Sequence, residues 1–331
     1  MKEDYLWDKS GSPDPEVERL EQLLGGLRHR GAAPELPKPG RRFSWQRYAA
    51  IAAALVVAAS SAWWGLPYFS GGWSVSRIEG TSLIAGSAMR EEAELRVGQT
   101  LETGADGRVE LKVGQIGLVR VEPGTKLRLL ESRPAEHRLA MDRGKIVARI
   151  WAPPKLFFVD MPAVTAVDLG CAYTLEVDER GNGRIHVTLG WVGFETNGLE
   201  SLIPAGAACR TREKEGPGVP YYLDAADGFQ QAVERWDSGE RRDEDLQVIL
   251  REARPRDGLT LWHLLTRVRA ERRGDVYDRL VKLVPPPFAV TREGIERLDR
   301  AMLEAWWDNL GLDPMNWWKL WKGDWPPKVG K

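Results

Sequence analysis

The stretch Arg108-Val109-Glu110-Leu111-Lys112-Val113, followed by Leu118-Val119-Arg120-Val121, alternates apolar with polar residues. Successive side chains of a β-strand point to opposite faces, so a period of two predicts strands with one face buried and one in water. Gly114 lies between the two runs and is a typical turn residue. The stretch therefore predicts two antiparallel strands of a half-buried sheet.

The same alternation extends in both directions, from Glu94–Val97 to Trp191–Phe194. Turn residues separate the runs, for example at 104–107 and at Glu122-Pro123-Gly124. Many short strands between glycine turns are typical of a sandwich, a barrel or a β-roll, and not of a parallel α/β sheet. We predict an all-β domain over residues 73–212.

An uncharged run at residues 48–66, rich in Ala and Val, precedes the β region, and the basic residues just before it are Lys38, Arg41, Arg42 and Arg47. As a helix the run would be about 28 Å long, close to the hydrocarbon thickness of a bilayer. The positive-inside rule then predicts a single-pass inner (cytoplasmic) membrane protein, with a cytosolic N-terminus and a periplasmic C-terminal bulk. Two alternatives are a cleaved signal peptide ending near Ser60-Ser61-Ala62 and a buried helix of a soluble fold.

Residues 1–47 are too few for an independent core, but they contain a helix signal. Asp14 and Pro15 suit the cap and first position of a helix, and a Pro-rich linker follows. Apolar residues at helical spacing form a candidate surface for a cytosolic partner: Val17, Leu20, Leu23, Leu24 and Leu27. The alternative is a mostly disordered tail.

Residues 224–325 change to a helical period and predict a small α-helical domain, either a bundle or a stack of helical hairpins. Its end is rich in tryptophan. A large apolar side chain with one donor can contact a sugar, a membrane interface or a protein, and the candidate contact residues are Trp306, Trp307, Trp317, Trp318 and Trp321. The alternative is a segment packed back on the helical domain.

Over residues 75–212 the order of strands and turns resembles the exported β domain of FecR-type proteins. The matching motifs include Gly80-Thr81-Ser82-Leu83, Gly107–Leu111, Asp142-Arg143-Gly144-Lys145-Ile146, Asp168-Leu169-Gly170-Cys171-Ala172-Tyr173 and Val187–Val192. The resemblance implies a single-pass regulator whose exported part receives a signal from an outer-membrane receptor and whose cytosolic part controls a sigma factor. The chain departs from the family in its helical region beyond residue 223. It also lacks cysteine in residues 1–47, which excludes a thiolate zinc site there.

Composition argues against several other functions. The 331 residues carry 47 basic and 48 acidic side chains, closely interleaved, so no positive stripe is expected to bind nucleic acid. No metalloprotease, nucleophile-elbow or phosphate-loop motif occurs. We expect no enzyme activity, no catalytic or metal-binding residues and no cofactor.

The chain has two cysteines, Cys171 and Cys209, both in the predicted periplasmic domain. In an oxidising compartment two thiols of one β domain favour a disulfide, and the alternative is two separate buried thiols.

Taken together, these features predict a multidomain membrane protein with a short helical cytosolic segment, one transmembrane helix, an all-β FecR-like domain and an α-helical C-terminal domain. The predicted function is a FecR-like transmembrane signal transducer that senses in the periplasm and controls a cytosolic sigma factor. The alternative is a membrane-anchored periplasmic scaffold or a module that binds glycan or a protein partner of the envelope.

Overall fold

A computed structural model describes residues 15–27, 71–196 and 198–312 of the chain. The chain divides into two units, Met1–Gly65 and Leu66–Lys331, and each is described by itself. In the first unit the described residues form helix α1, Pro15–Gly25. Pro15 has the φ angle that a first helical turn needs, and Glu16 and Glu18 lie near the positive end of the helix dipole. The poor helix formers Gly25 and Gly26 coincide with its end.

The described part of the second unit contains one sheet of sixteen strands. They are β1 Trp73–Glu79, β2 Ser82–Ile84, β3 Ser87–Ala88, β4 Glu92–Leu95, β5 Thr100–Thr103, β6 Arg108–Val113, β7 Gly117–Val121, β8 Lys126–Arg133, β9 Glu136–Ile150, β10 Phe157–Asp160, β11 Thr165–Val177, β12 Gly183–Thr196, β13 Leu199–Pro204, β14 Ala207–Arg212, β15 Gly216–Pro217 and β16 Tyr221–Tyr222. The main path of hydrogen-bonded neighbours is β15-β14-β12-β11-β10-β9-β7-β6-β1-β4. Strand β13 pairs with β12 in this sheet, and all of the described pairs are antiparallel except β9 with β10.

Two long strands bend and change partners along their length. The first half of β9 pairs with β8 and β10, whereas its second half, from Gly144, pairs with β7 and β11. Gly144 has a φ angle of 104°, and a Cβ atom there would lie 2.4 Å from the Cα atom of Thr125. In β11 the register shifts between Asp168 and Cys171, around Gly170 with a φ angle of 84°. Glycine at the two bends therefore lets the sheet fold over a shared core.

Alternation along the strands produces that core. In β6 the side chains of Val109, Leu111 and Val113 are fully buried, and the polar residues between them are less buried or exposed. The same pattern recurs in β7, where Val119 and Val121 are fully buried. The prediction of a β-rich fold is confirmed.

Helices follow the sheet and form a second apolar core. They are α2 Asp227–Arg235, a π-helical turn Trp236–Glu240, α3 Asp243–Glu252, a 3₁₀ turn Pro255–Asp257, α4 Gly258–Leu265, α5 Ala270–Leu283, α6 Arg292–Glu296 and α7 Arg300–Asp308. Each of the α-helices in this list buries apolar side chains, and Phe229, Ile249 and Leu264 are fully buried examples. Helix α4 is buried on nearly all sides, since Trp262 is its one residue that is not buried. The second unit thus contains a large β-sheet part and a helical part.

The predicted membrane fold is not found. The longest helix among the described residues, α5, has 14 residues, and a bilayer crossing needs about 20. No helix in residues 15–27, 71–196 and 198–312 combines the length and apolar character that a crossing requires. This finding contradicts the predicted single-pass fold class and the inner-membrane localisation. The proposed span itself, residues 48–66, lies outside the described residues.

Candidate functional site

The apolar stripe of α1 and the turn after it faces solvent. The exposed fractions are 56% for Leu20, 72% for Leu23, 58% for Leu24 and 81% for Leu27, while Val17 is half-buried. No residue of α1 is buried. The helix also has three Glu and one Arg, which give it an acidic character. This stripe contains every residue predicted for partner binding, and that role stays a prediction.

In the second unit, side chains of α4 and the turn after it complete the free edge of strand β13. The backbone N–H of Leu202 donates to Nε2 of His263 over 3.1 Å, and Arg267 donates to the carbonyl oxygen of Glu200 over 3.0 Å. Arg267 also donates to the hydroxyl oxygen of Ser201 over 2.6 Å. Side chains one helical turn apart therefore satisfy backbone groups that an edge strand would otherwise expose.

Burial keeps the histidine of this contact neutral. His263 is 1% exposed, and burial, with the charge of Arg267, lowers its pKa to about 3. Its Nδ1–H donates to the carbonyl oxygen of Leu259, 2.9 Å away, which leaves Nε2 as the acceptor that Leu202 requires. The edge contact thus depends on the neutral form of His263.

Aromatic rings extend this contact between the sheet and the helices. The Trp307 ring lies 4.8 Å from the ring of Trp262, 5.7 Å from that of His263 and 6.0 Å from that of Trp191, measured between centroids. Trp306 is fully buried in the helical core, and its Nε1–H donates to the carbonyl oxygen of Val284. The other residues predicted as C-terminal contacts, Trp317, Trp318 and Trp321, lie outside the described residues.

An open groove of about 670 Å³ lies on the sheet beside these rings. Phe158 and Val167 line it on one side, and Leu199 with Glu195 and Glu200 line it on the other. Glu195 and Glu200 are paired across β12 and β13. The pKa of Glu200 is raised by burial and by the negative charge of Glu195, against the opposing charge of Lys155.

A separate buried polar cluster lies at the bend of β11. The Asp168 carboxyl group accepts a hydrogen bond from the N–H of Gly170 over 2.6 Å and one from the Cys171 thiol over 2.7 Å. Burial raises the pKa of Asp168 to about 8 and that of Cys171 above its usual range. Tyr173 is 1% exposed, and its hydroxyl has no hydrogen-bond partner in this structure. Because burial favours the thiol over the thiolate, this environment makes Cys171 a poor nucleophile.

The predicted disulfide is wrong, because Cys171 and Cys209 are both free and buried. Cys171 lies on β11 and Cys209 on β14, with β12 paired between these strands. Two strand spacings put the cysteines about 10 Å apart across the sheet, already beyond the roughly 7 Å between Cα atoms that a disulfide tolerates. Their partners on β12, Gly190 and Ile185, are also offset along that strand, which increases the separation. Within the described part of the chain, no group of three or more His, Cys, Asp or Glu side chains could hold a metal ion.

Sequence reasoning missed the edge contact and the groove. The spacing of His263 and Arg267, four residues apart, places them on one helix face, but it does not reveal which strand they meet. Glu195 and Glu200 flank the short connection between β12 and β13. Their positions on either side of this turn could have predicted a cross-strand acidic pair.

No family model and no curated protein matches this chain. Among solved structures, two crystal structures, at 2.50 and 1.65 Å resolution, of a "putative anti-sigma factor" from Parabacteroides distasonis ATCC 8503 align at 14% identity and a TM-score of 0.33. Each alignment covers 42% of this chain, and the chain spans 64% and 65% of the length of those two chains.

Proposed function

We propose that this chain is a regulator that acts by binding a protein, and that α1 is the segment that contacts the regulated partner. The observation that carries the proposal is the exposure of Leu20, Leu23, Leu24 and Leu27 on a short helix with no buried residue of its own. A helix of 11 residues is marginal in water, so an amphipathic one gains stability by burying its apolar face on a partner.

The charge of the helix specifies the partner's surface. Glu16, Glu18 and Glu21 outnumber Arg19, so residues 15–27 carry two net negative charges. The matching partner has an apolar groove with basic side chains at its rim, which is the helix-in-groove mode of recognition. The resemblance to FecR-type proteins supports a sigma factor as this partner.

The test compares the full chain with a double substitution, Leu20→Asp with Leu24→Asp. Burial of each leucine contributes about 1.5–3 kcal/mol, so the double variant should weaken binding by at least about 100-fold. Affinity capture with the full chain, followed by mass spectrometry and titration of the purified partner, measures this change.

A matched control makes the same change in charge outside the apolar stripe of α1, through Arg19→Gln with Gln22→Asp, and should change the affinity much less. Recovery of a sigma factor whose binding depends on the leucines supports the proposal. Failure to recover a sigma factor, or equal binding by both double variants, contradicts it.

A further inference from the structure

A second concavity, of about 430 Å³, lies between the sheet and the first helix that follows it. Residues of β11, β12 and β14 form one wall, and the end of α2 with the π-helical turn forms the other. We call it the arginine pocket, because Arg184, Arg210 and Arg212 line it. Pockets for small molecules usually measure about 300–1,000 Å³, so its size suits such a ligand.

Strand pairing brings the three arginines together. Arg184 on β12 lies directly opposite Arg210 on β14, and Arg212 follows two residues later on β14. Residues two apart on a strand share a face, so Arg212 lies on the same side of the sheet as Arg210. Like charges that lie directly opposite each other are destabilising. The fold therefore gathers positive charge around one cavity.

A single carboxylate serves the two opposed arginines. Glu234 accepts a hydrogen bond from Arg210 over 2.9 Å, and its other carboxylate oxygen lies 3.4 Å from Arg184. The Nε–H of Arg210 is buried and has no hydrogen-bond partner among the described residues. Two guanidinium groups and one carboxylate leave one positive charge at this end of the pocket.

The same arrangement recurs beside the third arginine. Glu215 pairs with Arg212 over 2.9 Å and with Arg241 over 3.7 Å, so one carboxylate again serves two guanidinium groups. Asp237 also lines the pocket, but burial raises its pKa to about 7 in spite of the guanidinium charges nearby. Because Asp237 is only partly ionised near neutral pH, it offsets less than one of the positive charges.

Arg267 adds a further positive charge behind the pocket. It is 8% exposed and lines a small cavity of about 20 Å³, which shares Arg210, Arg212 and Asp237 with the arginine pocket. The terminal N–H groups of Arg267 donate to carbonyl and hydroxyl oxygens, which carry no charge. Within the described part of the chain no carboxylate pairs with Arg267, so its charge is not neutralised by direct contact.

The two other acidic residues of the pocket have partners of their own. Glu176 pairs with Lys145 over 2.7 Å. Asp178 accepts hydrogen bonds from the backbone N–H groups of Arg180 and Asn182, over 2.8 and 2.9 Å. In the described ranges neither carboxylate forms an ion pair with an arginine of the pocket, and the excess of positive charge remains.

We propose that the arginine pocket binds a small organic anion whose charge is carried by carboxylate or phosphate oxygens, with Arg184 and Arg212 as its principal contacts. The planar guanidinium group matches both kinds of oxyanion with two parallel hydrogen bonds. The side chains of Arg184 and Arg212 are 45% and 39% exposed, so a ligand can reach them.

The shape of the site favours a small anion over an extended one. Nucleic acids and other long polyanions are bound by positive stripes along a surface, whereas here the charges surround a single concavity. The site also lies in the second unit, so this proposal does not depend on α1 or on its partner.

The first test titrates the full chain with citrate, and separately with inorganic phosphate, by calorimetry at a constant ionic strength set with sodium chloride. We expect a Kd for the better anion below about 1 mM. Arg184→Gln and Arg212→Gln should each weaken binding about tenfold, because each removes a charge-assisted hydrogen bond. Tighter binding of citrate identifies a carboxylate ligand, and tighter binding of phosphate identifies a phosphate ester.

Arg96→Gln is the matched control, since it removes the same charge at an exposed position that does not line the pocket, and it should leave the affinity unchanged. Arg184→Lys keeps the charge but loses the planar fork. Its affinity should lie between those of the parent chain and Arg184→Gln, and it replaces the glutamine variant if that variant fails to fold.

The second test removes the carboxylate that competes for the arginines. Glu234→Gln leaves Arg184 and Arg210 without their shared partner, so it should strengthen anion binding by up to about fivefold. Binding that the arginine substitutions weaken and Glu234→Gln strengthens supports the proposal. If neither anion binds at millimolar concentration, or if Arg96→Gln weakens binding as much as Arg184→Gln does, the proposal is overturned.

Discussion

At the scale of single residues, Asp168 makes the stability of the second unit depend on pH. Its pKa is about 8 in the folded chain because of burial, against about 3.9 for an unfolded aspartate. Between these values the folded state binds more protons than the unfolded state, so the free energy of unfolding falls as pH rises from about 4 to 8. The contribution of Asp168 has a slope of up to about 1.4 kcal/mol per pH unit. Urea unfolding of the parent chain and of Asp168→Asn at several pH values measures it.

The asparagine keeps a carbonyl oxygen that can accept the Gly170 N–H, but it removes the titration. The slope of the free energy of unfolding should therefore differ between this variant and the parent chain by up to about 1.4 kcal/mol per pH unit between pH 4 and 8. Two other buried groups contribute in both chains. Burial raises the pKa of Asp237 to about 7, which gives a falling contribution, and lowers the pKa of His263 to about 3, which gives a rising contribution between about pH 3 and 6.5. The difference between the two chains therefore isolates Asp168. The control Asp142→Asn, at an exposed position, should keep the parent pH dependence. An unchanged slope in Asp168→Asn would show that this carboxyl does not titrate as its burial requires.

The two cysteines show what a sequence leaves open at this scale. Composition predicts that the two cysteines are either buried as free thiols or joined in a disulfide. Only the pairing of strands β11, β12 and β14 decides between these two outcomes. Cys171 is paired with Gly190, whereas Cys209 is paired with Ile185 further along the same strand, β12. Since strand pairing depends on contacts remote in sequence, spacing along the chain could not reveal that the thiols are apart.

At the scale of elements, the alternating runs predicted strands well because each strand carries its own buried face, as in β6 and β7. The bends of β9 and β11 could not be predicted in the same way. A glycine in a strand pattern indicates a turn, a bulge or a close backbone contact, and only the neighbouring strand decides among them. Gly144 is such a case, because Thr125, the residue that a Cβ atom at Gly144 would meet, immediately precedes strand β8.

The bend at Gly144 should tolerate no side chain. Gly144→Ala places a Cβ atom 2.4 Å from the Cα atom of Thr125, at a φ angle of 104° that alanine rarely adopts. We expect the free energy of unfolding to fall by about 2–5 kcal/mol, the sum of backbone strain and overpacking. Gly124→Ala is the matched control, because its φ angle is also positive, 69°, but no atom lies within 4 Å of the new Cβ. It should cost only about 1–2 kcal/mol. Urea midpoints of the two variants measure the difference, and equal losses would refute the steric explanation.

At the scale of the whole molecule, the change of period near residue 224 predicts two domains, but it does not predict how they are joined. In the second unit the join consists of the β13 edge contact and the rings around Trp307. Each of these side chains is unremarkable in its own segment. Their role appears only when the helices and the sheet are placed together, because the partner of each lies far along the chain.

The ring of Trp307 should couple the unfolding of the sheet to that of the helices. Trp307→Ala removes its contacts with Trp191, Trp262 and His263, and loss of a packed tryptophan costs about 3–5 kcal/mol. Because this loss falls on the join, we expect the helical part to unfold at lower denaturant than the sheet. Trp306→Ala is the matched control, since Trp306 is fully buried within the helical core. It should destabilise the helices while leaving the ring contacts of Trp307 in place.

Amide hydrogen exchange across a denaturant series distinguishes the two variants, because it reports the opening free energy of each element separately. In Trp307→Ala, amides of α4 and α5 should exchange through an opening that leaves the amides of β6 and β7 protected. In Trp306→Ala, the opening free energies of the α4 and α5 amides should differ less from those of the β6 and β7 amides than they do in Trp307→Ala. The contacts of Trp307 still couple the helices to the sheet in that variant. If both variants open the sheet and the helices together, Trp307 contributes packing but does not connect the two parts.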